Sequence, residues 1–428
     1  MSRPPHRSPH RAAFAPAAIA LTLLTATALA GCADADPSGS PAPTASDGVT
    51  GDGHGAIAGA QEVAEPPLHL LTVGDDGTVQ QLDLLDESVD ELGSLDGVTS
   101  TATDGRFLFA ASSSAGTVDV VDSGYWTRSH IDHFHYYRGT PREVGTLESD
   151  GGGEATFSPG TATTGVFFTG SGEAVLLETA GLADGDMTER LRVETTPHTG
   201  LIAGVGTGSL VTRADAEGES ANHVDLLDAD GETIESIDCT AASGSIETVV
   251  GTVVGCADGA VLALPTDDGV ADLTRIDHPD GTTAPAATSF ANREGRPSVA
   301  GLAGPTSFWM LDTREQSWKL IDAETPLQQV TAVDDADGHV LALTDDGRVL
   351  VLSGERGEIL SETAPLLDET TADPSLLAGA TLVADQQRAY LNGPAENLIY
   401  EIDFADDARV SRTFETDRAP LFLAETGR

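Results

Sequence analysis

The chain has 428 residues, including 47 glycines and 22 prolines, and its formal net charge is −47. This length can form one large domain or two, and so negative a surface repels nucleic acid and anionic lipid head groups. The charge therefore excludes proteins that rely on electrostatic attraction to either partner. Its simplest interpretation is that it keeps an exported protein soluble.

The first 31 residues have the pattern of a signal peptide. A start with three arginines is followed by an apolar run of small residues, Ala12–Ala30, which is typical of secretion. The run ends in Leu29-Ala30-Gly31-Cys32, which resembles the lipobox of bacterial lipoproteins. This resemblance implies that Cys32 becomes the lipidated first residue of an extracytoplasmic protein, attached to the outer face of the cell membrane by its lipid anchor only. A soluble secreted protein and an uncleaved signal anchor are the alternatives.

Residues 32–66 are rich in Ser, Pro, Ala, Gly and Asp and have little to bury. Such a composition predicts a disordered tether. Within it, Gly51-Asp52-Gly53-His54-Gly55 offers one histidine and one aspartate in a flexible segment. This pair could capture a metal ion transiently, but a linker histidine without a function is the more ordinary interpretation.

Residues 67–428 read as an all-β domain. Short β-rich runs separated by Gly/Asp turns recur about eight times, as in Asp75-Asp76-Gly77-Thr78-Val79 and Asp346-Gly347-Arg348-Val349, and such turns are hairpin signals. Their spacing favours a β-propeller of seven or eight blades over a pair of β-sandwiches. The first strand, near Leu68–Val73, is a candidate for completing the last blade.

Two cysteines remain once Cys32 is set aside. Cys239 and Cys256 form an even pair in a chain with an export signal, which predicts a disulfide. The residues between them have room for a hairpin, so we expect the bond to clamp one blade, with an entropic contribution of about 3 kcal/mol. A metal site built on two cysteines is the alternative, although no further ligand lies beside either one.

The chemical centre of the sequence is the stretch His130-Ile-Asp132-His133-Phe134-His135-Tyr136-Tyr137-Arg138. Imidazole is a good ligand for zinc, and we expect zinc before copper. On an extended strand His133 and His135 lie on one face, while His130 and Asp132 lie on the other. Either the chain bends near Ile131, or His130 and Asp132 support the ligands or form a separate weaker site.

The pair needs further ligands, and His198 in Thr196-Pro197-His198-Thr199-Gly200 is the first choice, because equivalent loops of adjacent blades meet near the channel of a propeller. The remaining histidines have the surroundings expected of structural residues; they are His69, His223, His278 and His339. Packing without metal is the alternative for the cluster itself, whose histidines and tyrosines would then be the aromatic core of one blade.

The sequence resembles the AztD-like zinc metallochaperones over most of the mature chain. The residues that carry the resemblance are Gly53-His54-Gly55, Leu68-His69-Leu70, Val120-Val121-Asp122-Ser123-Gly124 leading into His130 to Arg138, Pro197-His198, and Gly255-Cys256-Ala257-Asp258-Gly259. The resemblance implies a β-propeller that holds zinc outside the cytoplasm and passes it to the solute-binding protein of a zinc ABC importer. His133, His135 and His198 are the positions that it marks as ligands.

No nucleophilic triad, nucleotide loop or paired-carboxylate signature of an enzyme is readable in the sequence. Two hypotheses from different classes remain. The first is a lipoprotein that binds zinc and delivers it. The second is a metal-independent propeller that serves as a scaffold for a protein or cell-envelope partner.

Overall fold

The structure is a computed structural model, and it describes residues 57, 59–130, 133–267 and 269–428, without the side chain of His130. The predicted signal peptide, most of the predicted tether, Cys32, Ile131 and Asp132 lie outside the described residues. In the described part, no helix combines the length and the apolar character that a membrane crossing requires.

The described residues form an all-β propeller of eight blades, each a meander of antiparallel strands, which confirms the predicted fold class. Blade 1 consists of β2 (His69–Gly74), β3 (Thr78–Asp83), β4 (Val89–Ser94) and β34 (Pro420–Thr426). Blade 2 consists of β5 (Ser100–Thr103), β6 (Phe107–Ser112), β7 (Thr117–Asp122) and β10 (Arg142–Glu148). Blade 3 consists of β11 (Ala155–Ser158), β12 (Thr163–Phe168), β13 (Glu173–Glu178) and β14 (Glu189–Glu194), and blade 4 of β15 (Ile202–Val205), β16 (Gly208–Arg213), β17 (His223–Leu227) and β18 (Thr233–Asp238).

Blade 5 consists of β19 (Ser243–Glu247), β20 (Thr252–Cys256), β21 (Gly259–Pro265) and β22 (Ala271–Asp277). Blade 6 consists of β23 (Ser298–Leu302), β24 (Ser307–Asp312) and β25 (Ser317–Asp322). Blade 7 consists of β26 (Leu327–Ala332), β27 (His339–Thr344), β28 (Val349–Ser353) and β29 (Ile359–Glu362), and blade 8 of β30 (Leu382–Ala384), β31 (Ala389–Gly393), β32 (Leu398–Asp403) and β33 (Arg409–Glu415). Blade 6 has three regular strands, and single bridges from Ala291 and Asn292 take the place of its inner strand.

Among the described residues, three short helical segments interrupt the sheets: α1 (Thr179–Asp184), a 3-10 turn (Thr370–Ala372) and α2 (Pro374–Leu377). They connect strands within or between blades and do not form a layer of their own. The domain is therefore a ring of sheets, as the repeated turn signals predict.

The ring is closed by strands from opposite ends of the described chain. β2 pairs with β3 on one side and with β34 on the other, so that β34 is the inner strand of blade 1. The sequence predicted that the first strand completes the last blade. The reverse is found, because the last strand completes the first blade.

The core lies between adjacent blades. The second strands β6 and β12 are buried along their whole length, because neighbouring blades cover both of their faces. The outer strands β4 and β18 are largely exposed and carry charged residues, and charges on such edges oppose pairing with another chain. Trp309 is fully buried in the cluster between blades 5 and 6, where its indole N–H donates to the carbonyl of Pro285 at 2.8 Å.

Cys239 and Cys256 form the predicted disulfide. Its position differs from the prediction, because Cys239 follows β18 in blade 4 whereas Cys256 ends β20 in blade 5. The bond therefore joins two blades instead of clamping one. Both cysteines are buried in the cluster at this blade junction, so the bond ties the ring at that point.

One sheet stands apart from the eight blades. β8 (Tyr125–His130) and β9 (His133–Arg138) form a hairpin inserted between β7 and β10 of blade 2, and β1 (Gln61–Val63) adds to the free edge of β9. β1 lies inside the segment, residues 32–66, that the sequence assigned to the tether. This three-stranded sheet carries the histidine cluster.

Candidate metal site

The inserted hairpin leaves blade 2 at one end of the propeller axis. The end of β7 at Asp122 lies opposite the start of β6 at Phe107 and the start of β10 at Arg142. Gly124 begins the insertion with a φ of 77°, and a side chain there would meet the backbone of Pro141 at 2.8 Å. Glycine is required at this position because the chain turns out of the blade against a neighbouring segment.

A row of aromatic rings connects the propeller to the histidines. The guanidinium of Arg106, paired with both oxygens of Asp122, stacks over Trp126 at 3.8 Å. Trp126 stacks on Tyr137, with ring centroids 5.2 Å apart, and Tyr137 stacks on His135 at 6.2 Å. Since His135 and Tyr137 are buried, these contacts fix the orientation of the His135 ring.

His133 and His135 are brought together as the alternation along a strand predicts. Their rings lie edge to face with centroids 4.6 Å apart, and the two Nε2 atoms are 2.9 Å apart. His135 is 7% exposed, whereas His133, which lies nearer the end of the hairpin, is exposed. The pair thus has one potential metal-ligand nitrogen buried in the protein and a second close to solvent.

Glu62 of β1 supplies a carboxylate that the sequence analysis did not single out. Its Oε1 lies 2.6 Å from Nδ1 of His135, and the carboxylate can only accept, so Nδ1–H donates. In the neutral ring this leaves the lone pair on Nε2 of His135, which accepts a hydrogen bond from Nε2–H of His133. A carboxylate that receives the far N–H of a ligand histidine is a common arrangement at metal sites, because it fixes the tautomer and increases ligand basicity.

The chain reverses between His130 and His133, which are opposite each other at the end of the hairpin. Of the two alternatives that the sequence left open, the pairing of His130 with His133 agrees with a change of chain direction between them. Asp132 and the side chain of His130 lie outside the described residues. Their assignment as ligands or supporting groups stays a prediction.

His198 lies in the propeller body between β14 and β15, and its ring contacts there are local. Its Nδ1 donates to the carbonyl of Thr196 at 2.6 Å, Nε2 lies 3.0 Å from the hydroxyl of Thr212, and Phe167 packs edge-on against the ring. Burial lowers the pKa of His198, so the neutral ring with Nδ1–H fits these contacts. None of the described contacts joins His198 to His133 or His135, and its role as a ligand stays a prediction.

Other histidines make contacts typical of structural residues. His69 is buried, stacks on Tyr125 with centroids 3.7 Å apart and donates from Nδ1 to the carbonyl of Pro67. His278 stacks on Trp309 at 4.1 Å, and His223 lies 3.1 Å from a carboxylate oxygen of Asp238. These contacts join strands or blades and require no metal ion.

A second group with metal-ligand atoms lies in the turn between β26 and β27. One ligand atom each of Asp335, Asp337 and His339 falls within 4.8 Å of the others. Asp335, however, uses one oxygen to accept the backbone N–H of His339 and the other to accept its Nδ1–H at 2.6 Å. The same contacts cap the turn, which explains this group without an ion.

Comparisons with solved structures identify the fold. Apo AztD from Citrobacter koseri matches with a TM-score of 0.71 and 18% identity, covering 84% of this chain and 98% of that one. The crystal structure of Citrobacter koseri AztD gives 0.70 and 19%, covering 84% and 97%. Dihydro-heme d1 dehydrogenase NirN in complex with DHE gives 0.52 and 14%, covering 85% and 76%.

No family model matches the chain, and no curated protein does so either. At these levels of identity, the likeness to solved structures concerns the fold alone. The chain has an AztD-like structure: an eight-bladed propeller that covers nearly the whole length of AztD.

Proposed function

We propose that the β8–β9 hairpin binds zinc outside the cytoplasm, and that the protein delivers this zinc to the solute-binding protein of a zinc ABC importer. The observation that carries the proposal is the approach of the two Nε2 atoms of His133 and His135, with Glu62 on the far nitrogen of His135. The resemblance of the sequence to AztD-like zinc metallochaperones supports the choice of metal and of partner.

The geometry suits a small tetrahedral cation. Two imidazole nitrogens bound to one zinc ion at about 2.0–2.1 Å are about 3.3 Å apart. The present separation of 2.9 Å is that of an N–H···N hydrogen bond between the rings. Zinc binding therefore requires loss of the proton between the two Nε2 atoms and a further separation of these atoms by about 0.4 Å. His130 and Asp132, at the end of the same hairpin, are the candidates for the remaining positions.

The surroundings favour an extracytoplasmic site. The disulfide between Cys239 and Cys256 is stable in an oxidising compartment, and the net charge of −47 raises the local concentration of cations at the surface. We propose that the protein is held at the membrane through a lipid on Cys32, as the lipobox resemblance implies.

The test is the zinc content of the purified protein, measured by mass spectrometry, with calorimetry of the metal-free form. We expect about one zinc ion per wild-type chain and none in the His133→Ala/His135→Ala variant. His223→Ala removes a histidine that is paired with a carboxylate in a blade strand, and it is the matched control that retains zinc. Unchanged binding in the double variant would refute the site.

His198→Ala distinguishes the two views of His198. We expect the folded fraction of this variant to keep its zinc, because the contacts of His198 lie within the propeller body. Delivery is tested separately, by mixing the zinc-loaded protein with the metal-free solute-binding protein. Transfer must be faster than zinc release to a chelator, since equal rates would mean dissociation instead of delivery.

A further inference from the structure

The innermost strand β34 ends in a buried charged network at the same end of the axis as the hairpin. Glu425 is fully buried, and its Oε2 lies 3.1 Å from Nη1 of Arg428. Nε of Arg428 in turn lies 3.1 Å from Oε2 of Glu294, in the turn that precedes β23. Oε1 of Glu425 has no hydrogen-bond partner among the residues that the structure describes.

The charges around Glu425 come from several blades and are mostly negative. Arg428 is the nearest cation, whereas Asp385 of blade 8 and Glu294 of blade 6 both act against the ionised form of Glu425. Arg428 also attracts the carboxyl group of Asp104 in blade 2. The hydroxyl of Tyr390 interacts with Asp385 and Glu425 and so belongs to the same network. One arginine therefore interacts with four carboxyl groups, of which Glu425 is fully buried and Glu294 is half-exposed.

The same strand end holds the base of the hairpin. The carbonyl of Gly427 accepts the hydroxyl of Thr127 at 2.7 Å, and the main-chain oxygen of Arg428 accepts the N–H of Thr127 at 3.4 Å. The N–H of Gly427 donates to the carbonyl of Gly105 in blade 2 at 2.8 Å. Residues 425–428 thus contact both blade 2 and the foot of β8.

We propose that the end of β34 is a pH-sensitive latch, which holds the foot of the hairpin while Glu425 is protonated and loosens it once Glu425 is ionised. A protonated Glu425 costs little to bury and does not repel Glu294 or Asp385. An ionised Glu425 has a buried oxygen without a donor, and opening of the strand end would give that oxygen water.

The sign of the effect follows from proton linkage. Burial raises the pKa of Glu425 to about 7 from its ordinary value of 4.5, and an opened strand end would restore the ordinary value. Protons therefore bind the closed form more tightly, and opening becomes easier as the pH rises between these values. Between pH 5 and pH 8 the opening equilibrium constant should increase on the order of fiftyfold.

Hydrogen exchange of the metal-free full chain tests the latch. Peptides that cover 125–130 and 422–428 are followed from pH 5 to pH 8, with the intrinsic dependence of exchange on pH removed. The wild type should lose protection of both segments together, on the order of fiftyfold. Glu425→Gln keeps the side chain neutral, so its corrected protection should not change with pH.

Glu401→Gln is the matched control, since Glu401 is also buried but its oxygens are taken by Arg412 and Ser411. It should keep the wild-type slope. Glu294→Gln, at a half-exposed position, relieves the repulsion on Glu425 and frees Arg428, so it should move the midpoint to lower pH. A flat wild-type profile, a wild-type slope in Glu425→Gln, or an unmoved midpoint in Glu294→Gln would overturn the latch.

Discussion

Replacing Glu62 with glutamine is the most direct test of how the hairpin prepares its histidines for zinc. The Glu62 carboxylate accepts Nδ1–H of His135 at 2.6 Å, while the side chain of Glu62 is 46% exposed. Loss of such a supporting carboxylate typically reduces metal affinity 10–100-fold. Because solvent screens a half-exposed group, we expect about a tenfold loss, or about 1.4 kcal/mol of binding free energy.

The assay is competition for zinc against a chelator of known affinity, at constant pH and ionic strength. Glu65→Gln is the matched control, because it removes the same charge from the same segment at an exposed position. The control should bind zinc as the wild type does. If both variants lose affinity equally, the effect is general attraction by negative charge, and if Glu62→Gln loses none, the orienting role of Glu62 is wrong.

Three further outcomes are expected. Cys239→Ala/Cys256→Ala should lower the free energy of unfolding by about 3 kcal/mol, because the disulfide closes a loop of 17 residues. Urea unfolding measures this change, and a loss below about 1 kcal/mol would contradict the prediction. Burial raises the pKa of Asp104 to about 6 from 3.8, so Asp104 should contribute about 2 kcal/mol to the fall in stability as the pH rises through that window. In urea titrations the fall should be smaller by that amount in Asp104→Asn, and an equal fall in both proteins would contradict this. Trp309→Ala should cost about 3–5 kcal/mol and lower the melting temperature, since Trp309 fills the junction between blades 5 and 6; an unchanged melting temperature would show that the junction repacks.

The propeller could be predicted because its signals are local. Turns such as Asp76-Gly77, where Gly77 has a φ of 82°, recur at blade spacing, and each separates two runs of β-forming residues. The closure of the ring was predicted with the wrong strand, because neither β2 nor β34 has a pattern that says which blade lacks a member. Ring closure depends on the sum of all blades, which no single window of the sequence contains.

The histidine pair was predicted from alternation along a strand, and its rings do lie together. The change of chain direction between His130 and His133 was only one of two alternatives, because Ile131-Asp132 lacks the Asn-Gly or Asp-Gly signal of a two-residue turn. Glu62 was missed for a different reason: it is 73 residues from His135 and lies in a segment whose composition predicts disorder. Pairing of β1 with β9 overrides that composition through only three residues.

The pairing of β34 with β2 has a consequence for how the molecule is assembled. Until residues 420–426 arrive, β2 presents a bare backbone edge, and blade 8 has no finished neighbour to pack against. During synthesis the chain therefore forms an incomplete ring of blades, which cannot fold cooperatively as a whole until β34 pairs with β2. A truncation that removes residues 420–428 should leave a chain that associates with itself through that edge, even though most of its sheets are intact.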